Sequence, residues 1–132
     1  MGKLIRLKII SPDRNDIDED IICLKTMNCN GGIEIFANHI PMIISTIPTI
    51  SKFIDESGNE RKLFTSNGII QIKNNEIKFC CDSMNWPQEV DRERAKLSKE
   101  RAEKRINSKE NEDIDKERAK RSLARAIARL EL

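Results

Sequence analysis

The sequence predicts a mainly β protein with an α-helical tail: an antiparallel β-sandwich or flattened barrel over residues 1–86, then a two-helix antiparallel hairpin over residues 87–132. Three observations predict it. Apolar residues recur with a period of two before Pro87 and with the 3.6-residue period of a helix after it. Charge changes at the same place, because 21 of the first 87 residues are Asp, Glu, Lys or Arg, against 25 of the last 45. Asn85-Trp86-Pro87-Gln88 marks the junction: Pro87 biases Trp86 toward extended backbone and itself fits the first turn of a helix.

The elements follow in order. Lys3 to Ile9 and Ile69 to Lys73 alternate apolar with polar residues and are rich in β-branched side chains, which puts one face in a core and the other in water. Turn signals divide the strands: Ser11-Pro12-Asp13, Asn28 to Gly32, Ser57-Gly58-Asn59 and Asn67-Gly68. Asn74-Asn75, set between two alternating runs, reads as a tight hairpin. Beyond the junction, Ala95, Ala102 and Ile106 share one helical face, as do Ala119, Leu123, Ala126, Ile127 and Leu130 on a second helix. Asn107 to Glu112 would join the two. Glu89 to Ala95 is echoed by Asp113 to Ala119, and each stretch sets acidic residues where a helix N-terminus favours negative charge.

Composition narrows the function. With 24 Lys+Arg against 22 Asp+Glu and aromatics at 4% of 132 residues, the charge balance is too even for an obligate nucleic-acid binder. The apolar stretch Ile40 to Ile50 is broken by Pro41, Ser45, Thr46 and Pro48, so no spanning helix is expected. The N-terminus carries no signal-peptide pattern, which predicts a cytosolic compartment. Cys23, Cys29, Cys80 and Cys81 lack the spacing of a zinc site, and no metal is expected; they read as small thiols on strands. His39 has no evident Cys or Ser partner and reads as a corner residue tying a loop to backbone groups. No phosphate loop or nucleophile elbow occurs, so no catalytic residues are assigned and the chain is not expected to be an enzyme by itself.

The helices carry the more suggestive pattern. Arg94, Arg101 and Arg105 form a stripe on the first helix, and Arg118, Arg121, Arg125 and Arg129 form one on the second. A folded hairpin could direct guanidinium groups from both at one anion, whose oxygens suit the planar arginine fork. The bland reading is a solvated face balanced by Glu93, Glu100 and Glu103. From pattern alone the chain is an interaction module with a β core.

Particular segments then point to a family. Gly31-Gly32-Ile33-Glu34-Ile35-Phe36-Ala37-Asn38-His39-Ile40-Pro41 resembles a G-E-x-G-I-x-x-x-H-x-P segment, and Ser66-Asn67-Gly68-Ile69-Ile70-Gln71-Ile72 resembles S-G-G-x-x-E-V. Val90 to Ala95 fits [ILV]-D-x-x-R-A, and Arg125-Ala126 with Arg129-Leu130 closes the series. In this order and spacing they are similar to the ε subunit of bacterial F-type ATP synthases, whose mitochondrial counterpart is called δ. The resemblance implies a ten-stranded sandwich bound to the γ subunit and the c-ring of the rotor, peripheral at the cytoplasmic face of the cell membrane. It implies a rotor-interface loop at Gly31, Gly32, Ile33, Glu34 and His39. It implies a mobile hairpin whose Arg118, Arg121, Arg125 and Arg129 meet the catalytic αβ subunits and inhibit ATP hydrolysis. It implies that no cofactor is required and, as in some bacterial members, a regulatory ATP site at Asp91, Arg94, Arg101, Arg125 and Arg129. Gly32, Glu34 and Asn67 depart from the motifs, and Asn85 stands where some ATP-binding members have a glutamate. The rival reading is a stand-alone nucleic-acid- or protein-binding module using the arginine stripes.

Overall fold

A computed structural model describes residues 3–12, 14–107 and 113–132, with the side chains of 113–116 left aside. Most of the connection expected at Asn107 to Glu112, and Asp13 of the first turn, lie outside the described residues. The strands are β1 (Ile5–Ile10), β2 (Ile17–Asn28), β3 (Gly31–Phe36), β4 (Met42–Thr46), β5 (Thr49–Asp55), β6 (Glu60–Thr65), β7 (Gly68–Lys73), β8 (Glu76–Cys81) and β9 (Met84–Asn85). A 3-10 turn at Pro87–Glu89 leads into α1 (Arg92–Asn107) and α2 (Asp113–Glu131).

The strands form one sheet in the order β4-β7-β8-β1-β2-β5-β6-β9, with β3 also paired to β2. The sheet folds over on itself around one core. The period of two decides who enters it: Ile5, Leu7 and Ile9 of β1, Ile70 and Ile72 of β7, and Ile77 and Phe79 of β8 are all buried together. Asn74 and Asn75 both take positive φ, 53° and 57°, and close the β7–β8 hairpin where Lys73 pairs with Glu76. Asparagine tolerates that backbone, so the expected tight hairpin is present.

Two features differ from expectation. The described residues hold nine strands, against the ten implied by the resemblance. The long β2 serves as edge partner twice: Ile17 to Ile21 pair with β1, and Cys23 to Asn28 pair with β3 along the same side, with a bulge between Ile21 and Cys23 where β5 pairs opposite. The sheet is also not wholly antiparallel, because β1 runs parallel to β8. Antiparallel neighbours can be joined by short turns, whereas this parallel pair brings together the two ends of the sandwich sequence.

Three buried hydroxyls satisfy one another in a chain. Thr26 Oγ1 lies 2.8 Å from Ser51 Oγ, which lies 2.7 Å from Thr65 Oγ1, linking β2, β5 and β6 by buried hydroxyls. β6 is buried on both sides: Leu63 faces the main core, while Phe64 points outward and is covered by Ala128 and Leu132 of the helical region. This second, smaller apolar cluster is how the hairpin sits on the sandwich.

The two helices pack against each other through small residues. Ala95 and Ala102 of α1 and Ala119 and Ala126 of α2 are each 5% exposed or less. The helices are antiparallel, since Arg92 at the start of α1 donates to the Leu130 carbonyl near the end of α2, 3.0 Å away. Ala128 lies about 200° from Ala126 around the helix, so α2 buries one side against α1 and the other against the sandwich. Leu123 and Leu130 are half-buried and Ile127 is exposed.

Candidate functional site

The junction comes first, because it positions everything on the hairpin. Glu89 in the 3-10 turn receives two hydrogen bonds from Arg14, at 2.6 and 2.8 Å, and one from the Trp86 backbone N–H at 3.0 Å. Burial pushes the Glu89 carboxyl up, but the Arg14 hydrogen bonds, the Trp86 amide and the Arg14 charge outweigh it and hold the group below its ordinary value. Trp86 packs edge-on to Phe53 at 6.2 Å, and the Arg61 guanidinium sits 4.6 Å from the Trp86 ring while pairing with Glu19 at 2.9 Å. The linker is therefore tied to the sandwich by two arginines before the helix begins.

Asp91 starts that helix. Its Oδ1 accepts from the Arg94 backbone N–H at 3.0 Å and its carbonyl accepts from the Ala95 N–H at 3.0 Å, which makes it the N-cap of α1. The aspartate and alanine of D-x-x-R-A thus have local roles: one caps, the other lies in the interhelical seam.

Between the helices and the sandwich edge lies a cleft of about 370 Å³ lined by Asn85, Glu89, Asp91, Arg94, Arg125 and Arg129, with Val90, Ala95, Ser98 and Ser122 completing its wall. Four of the five residues proposed for nucleotide converge here from two helices. Arg101 does not: it is exposed and lies outside the lining, nearly two turns beyond Arg94. Arg129 is the most constrained. Its guanidinium lies 4.4 Å from the centre of the Phe64 ring, and it donates to Asn85 Oδ1 at 3.3 Å and to Ser83 Oγ at 3.2 Å. Burial, with the charges of Arg125 and Arg94, pulls its pKa down from the usual arginine value. A second cleft, of about 380 Å³, lies along the same helix between Arg118, Arg121 and Arg125 and the sandwich residues Asn67 and Asp82.

The residues expected from the resemblance to face the rotor lie elsewhere on the sandwich. Gly31, Gly32, Ile33 and Glu34 form the first part of β3, Gly31 with a φ of 126° that suits glycine, and His39 comes just past the Ala37-Asn38 turn that follows the strand. His39 Nδ1–H donates to the Ile40 carbonyl at 2.8 Å, a local tie of the kind expected. The Asn38 N–H donates to Asn75 Oδ1 at 2.8 Å, which anchors this turn to the β7–β8 hairpin. Around it an apolar surface is open to solvent: Phe36, Ile40, Met42 and Ile43 in one stretch, with Ile69 on the neighbouring β7. Ile43 and Ile40 are 73% and 69% exposed, far from what an isoleucine meets in a self-contained monomer.

Comparison with known proteins decides the family. Residues 4–87 match the family described as the ATP synthase delta/epsilon chain β-sandwich domain, and residues 88–132 match the corresponding long α-helix domain. The chain belongs to the ATP synthase delta/epsilon family. It is 41% identical over 132 residues to an ATP synthase epsilon chain of Clostridium kluyveri, covering all of this chain and 98% of that one. It is 38% identical, again over 132 residues, to an ATP synthase epsilon chain of Clostridium novyi, of which it covers 99%. Among solved structures, a chain of the Euglena gracilis mitochondrial ATP synthase OSCP/F1/c-ring assembly shares the fold at a TM-score of 0.82, with 18% identity and 97% and 79% coverage of the two chains. A chain of the Tetrahymena thermophila mitochondrial ATP synthase central stalk and c-ring does so at 0.66, with 11% identity and coverage of 98% and 96%.

Sequence reasoning missed several residues that build the site. Arg14 and Ser83 have no local signal, because they meet Glu89 and Arg129 from 75 and 46 residues away. Phe64 did have one: consecutive Leu63 and Phe64 in a strand imply that both faces are covered.

Proposed function

We propose that the sandwich grips the γ subunit and the c-ring while the hairpin acts as a detachable brake on ATP hydrolysis. As a member of its family the chain is a non-catalytic subunit of the F-type ATP synthase central stalk. No helix among the described residues is long and apolar enough to cross a membrane. The chain then sits peripherally at the cytoplasmic face, held by its partners. The apolar surface at Phe36, Ile40, Met42, Ile43 and Ile69 is where the rotor would bind, next to Gly31 to Glu34 and His39.

One observation carries the brake: the hairpin is held to the sandwich by a small contact and leaves Arg118 and Arg121 accessible. Its apolar part is Ala128 and Leu132 over Phe64, with Ile50 and Val90 at the margin. Burying one leucine contributes roughly 1.5–3 kcal/mol, so the docked and released states differ by only a few kcal/mol and a binding partner can reverse them. Arg118 and Arg121 are exposed already, and Arg125 and Arg129 would join them on release. Acidic surfaces of the catalytic subunits would receive the stripe. ATP in the first cleft would act oppositely, since Asp91, Arg94, Arg125 and Arg129 come together only while the hairpin is folded down; Arg101 is left out of this set.

The test is an assembled complex carrying Arg118→Gln, Arg121→Gln and Arg125→Gln together. Hydrolysis should rise while the chain still co-purifies with γ; an unchanged rate would reject the brake, and loss of co-purification would reject separate roles for the two parts. Titration calorimetry of the isolated chain with ATP, with Arg125→Ala as control, tests the nucleotide. Heat absent at millimolar ATP would remove it from the account.

A further inference from the structure

We infer that the second cleft, between α2 and the turns β6–β7 and β8–β9, binds a phosphate-bearing anion of its own, independent of any nucleoside. Arg118, Arg121 and Arg125 stand at i, i+3 and i+7, on one side of α2, and line this cleft of about 380 Å³ together with Asn67 and Asp82. Among the described residues no carboxylate lies within 4.0 Å of any of the three guanidinium groups. Three cations therefore line one cleft with a single acid, Asp82, for an excess of two positive charges in its lining. Like charges at this spacing repel, and a bound anion removes that cost.

The opposite wall is already fixed. The Asp82 N–H donates to the Asn67 carbonyl at 3.2 Å, the Ser83 N–H donates to Ser66 Oγ at 2.8 Å, and the Ser66 N–H donates to the Ser83 carbonyl at 3.0 Å. Asn67 thus lines the cleft from a turn whose backbone is already hydrogen-bonded. The planar forks of Arg118, Arg121 and Arg125 match phosphate oxygens, which carry about two negative charges per group near neutral pH. Size selects a small anion over a protein surface: with α2 against the sandwich the cleft admits a phosphate or pyrophosphate, whereas an acidic protein face reaches the same arginines only after α2 has left. The anion bridges helix and sandwich, so it holds the hairpin down and keeps Arg118 and Arg121 from other partners.

Arg94 lines only the first cleft, Arg121 only the second and Arg125 both, which allows the two to be told apart. The experiment is calorimetric and NMR titration of the full chain with inorganic pyrophosphate against sodium chloride at matched ionic strength, in the wild type, R94Q, R121Q and D82N. Pyrophosphate should bind the wild type and R94Q alike, weaken about tenfold or more in R121Q, and tighten in D82N. R121Q is exposed and should leave the backbone spectrum intact apart from its neighbours. Absence of binding beyond the chloride control would overturn the proposal, as would loss in R94Q with retention in R121Q, which places the anion in the first cleft. An ATP arm separates the sources: if ATP but not pyrophosphate moves the Arg121 side-chain signals, the phosphate belongs to a nucleotide next door and no independent site exists.

Discussion

Replacing Arg129 by alanine should release the end of α2 from the sandwich without unfolding either. The wild-type guanidinium makes a ring contact with Phe64 at 4.4 Å and two rather long hydrogen bonds, 3.3 Å to Asn85 and 3.2 Å to Ser83. A partly desolvated cation–π contact is worth about 0.5–2 kcal/mol and each hydrogen bond about 0.5–1.5. Desolvation of the charge, with repulsion from Arg94 and Arg125, offsets part of the sum. A net loss of about 2 kcal/mol is a factor of roughly 30 in the docking equilibrium. Native-state hydrogen exchange reads it directly: amides of Ala126 to Glu131 should exchange about 10–50 times faster, while those of β1 and β8 hold their rates. Arg118→Ala, which removes an exposed side chain, serves as control. Uniform acceleration across the chain would show that Arg129 supports the fold as a whole, and no acceleration would show that Phe64, Ala128 and Leu132 suffice; either refutes the latch.

Three other perturbations have definite outcomes. Asp91→Ala removes the N-cap of α1 and should lower helix stability by about 1 kcal/mol, seen as faster exchange at Arg94 and Ala95, with Asp91→Asn or Ser restoring most of it. The Arg14–Glu89 pair should make stability pH-dependent. Because the folded-state pKa of Glu89 lies below its ordinary 4.5, its contribution is complete above that value and fades as pH falls through the depressed one. With Glu89 36% exposed it amounts to under about 1 kcal/mol, and Arg14→Ala should flatten this part of the urea-midpoint curve between pH 6 and roughly 3. Thiol labelling at pH 8 should be fast at exposed Cys29 and Cys80 and slow at Cys23 and Cys81, the last pushed up to about 12 first by burial and then by neighbouring Asp82. Equal rates at Cys80 and Cys81 would contradict the burial of the second.

Much of this architecture was legible because it rests on local periodicity. The alternation in β1, β7 and β8 and the Asn74-Asn75 turn follow from pleat geometry and backbone preference alone, and the alanine stripes of the helices follow from their 3.6-residue period. What escaped depends on partners distant in sequence. The parallel pairing of β1 with β8 leaves no mark in either strand. Ala128 sits on the side of α2 away from its alanine seam and Leu132 follows the helix end, so a search for one apolar face passes over this second contact. The site divides in the same way. Asp91, Arg94, Arg125 and Arg129 came together because helical spacing and antiparallel packing bring them together, whereas Arg101 shares its stripe's spacing but lies too far along α1 to reach the cleft. Arg14, which clamps the start of the hairpin, follows a turn that the sequence does mark, but its partner Glu89 lies 75 residues away and leaves no local sign.

The most direct measurement is ATP hydrolysis by the reconstituted complex with the chain cut after Pro87, compared with the full chain. Faster hydrolysis, with the shortened sandwich still retained by γ and the c-ring, is the predicted result. An unchanged rate, or a sandwich that falls off the rotor once residues 88–132 are gone, would contradict the division of labour between a fixed collar and a releasable hairpin.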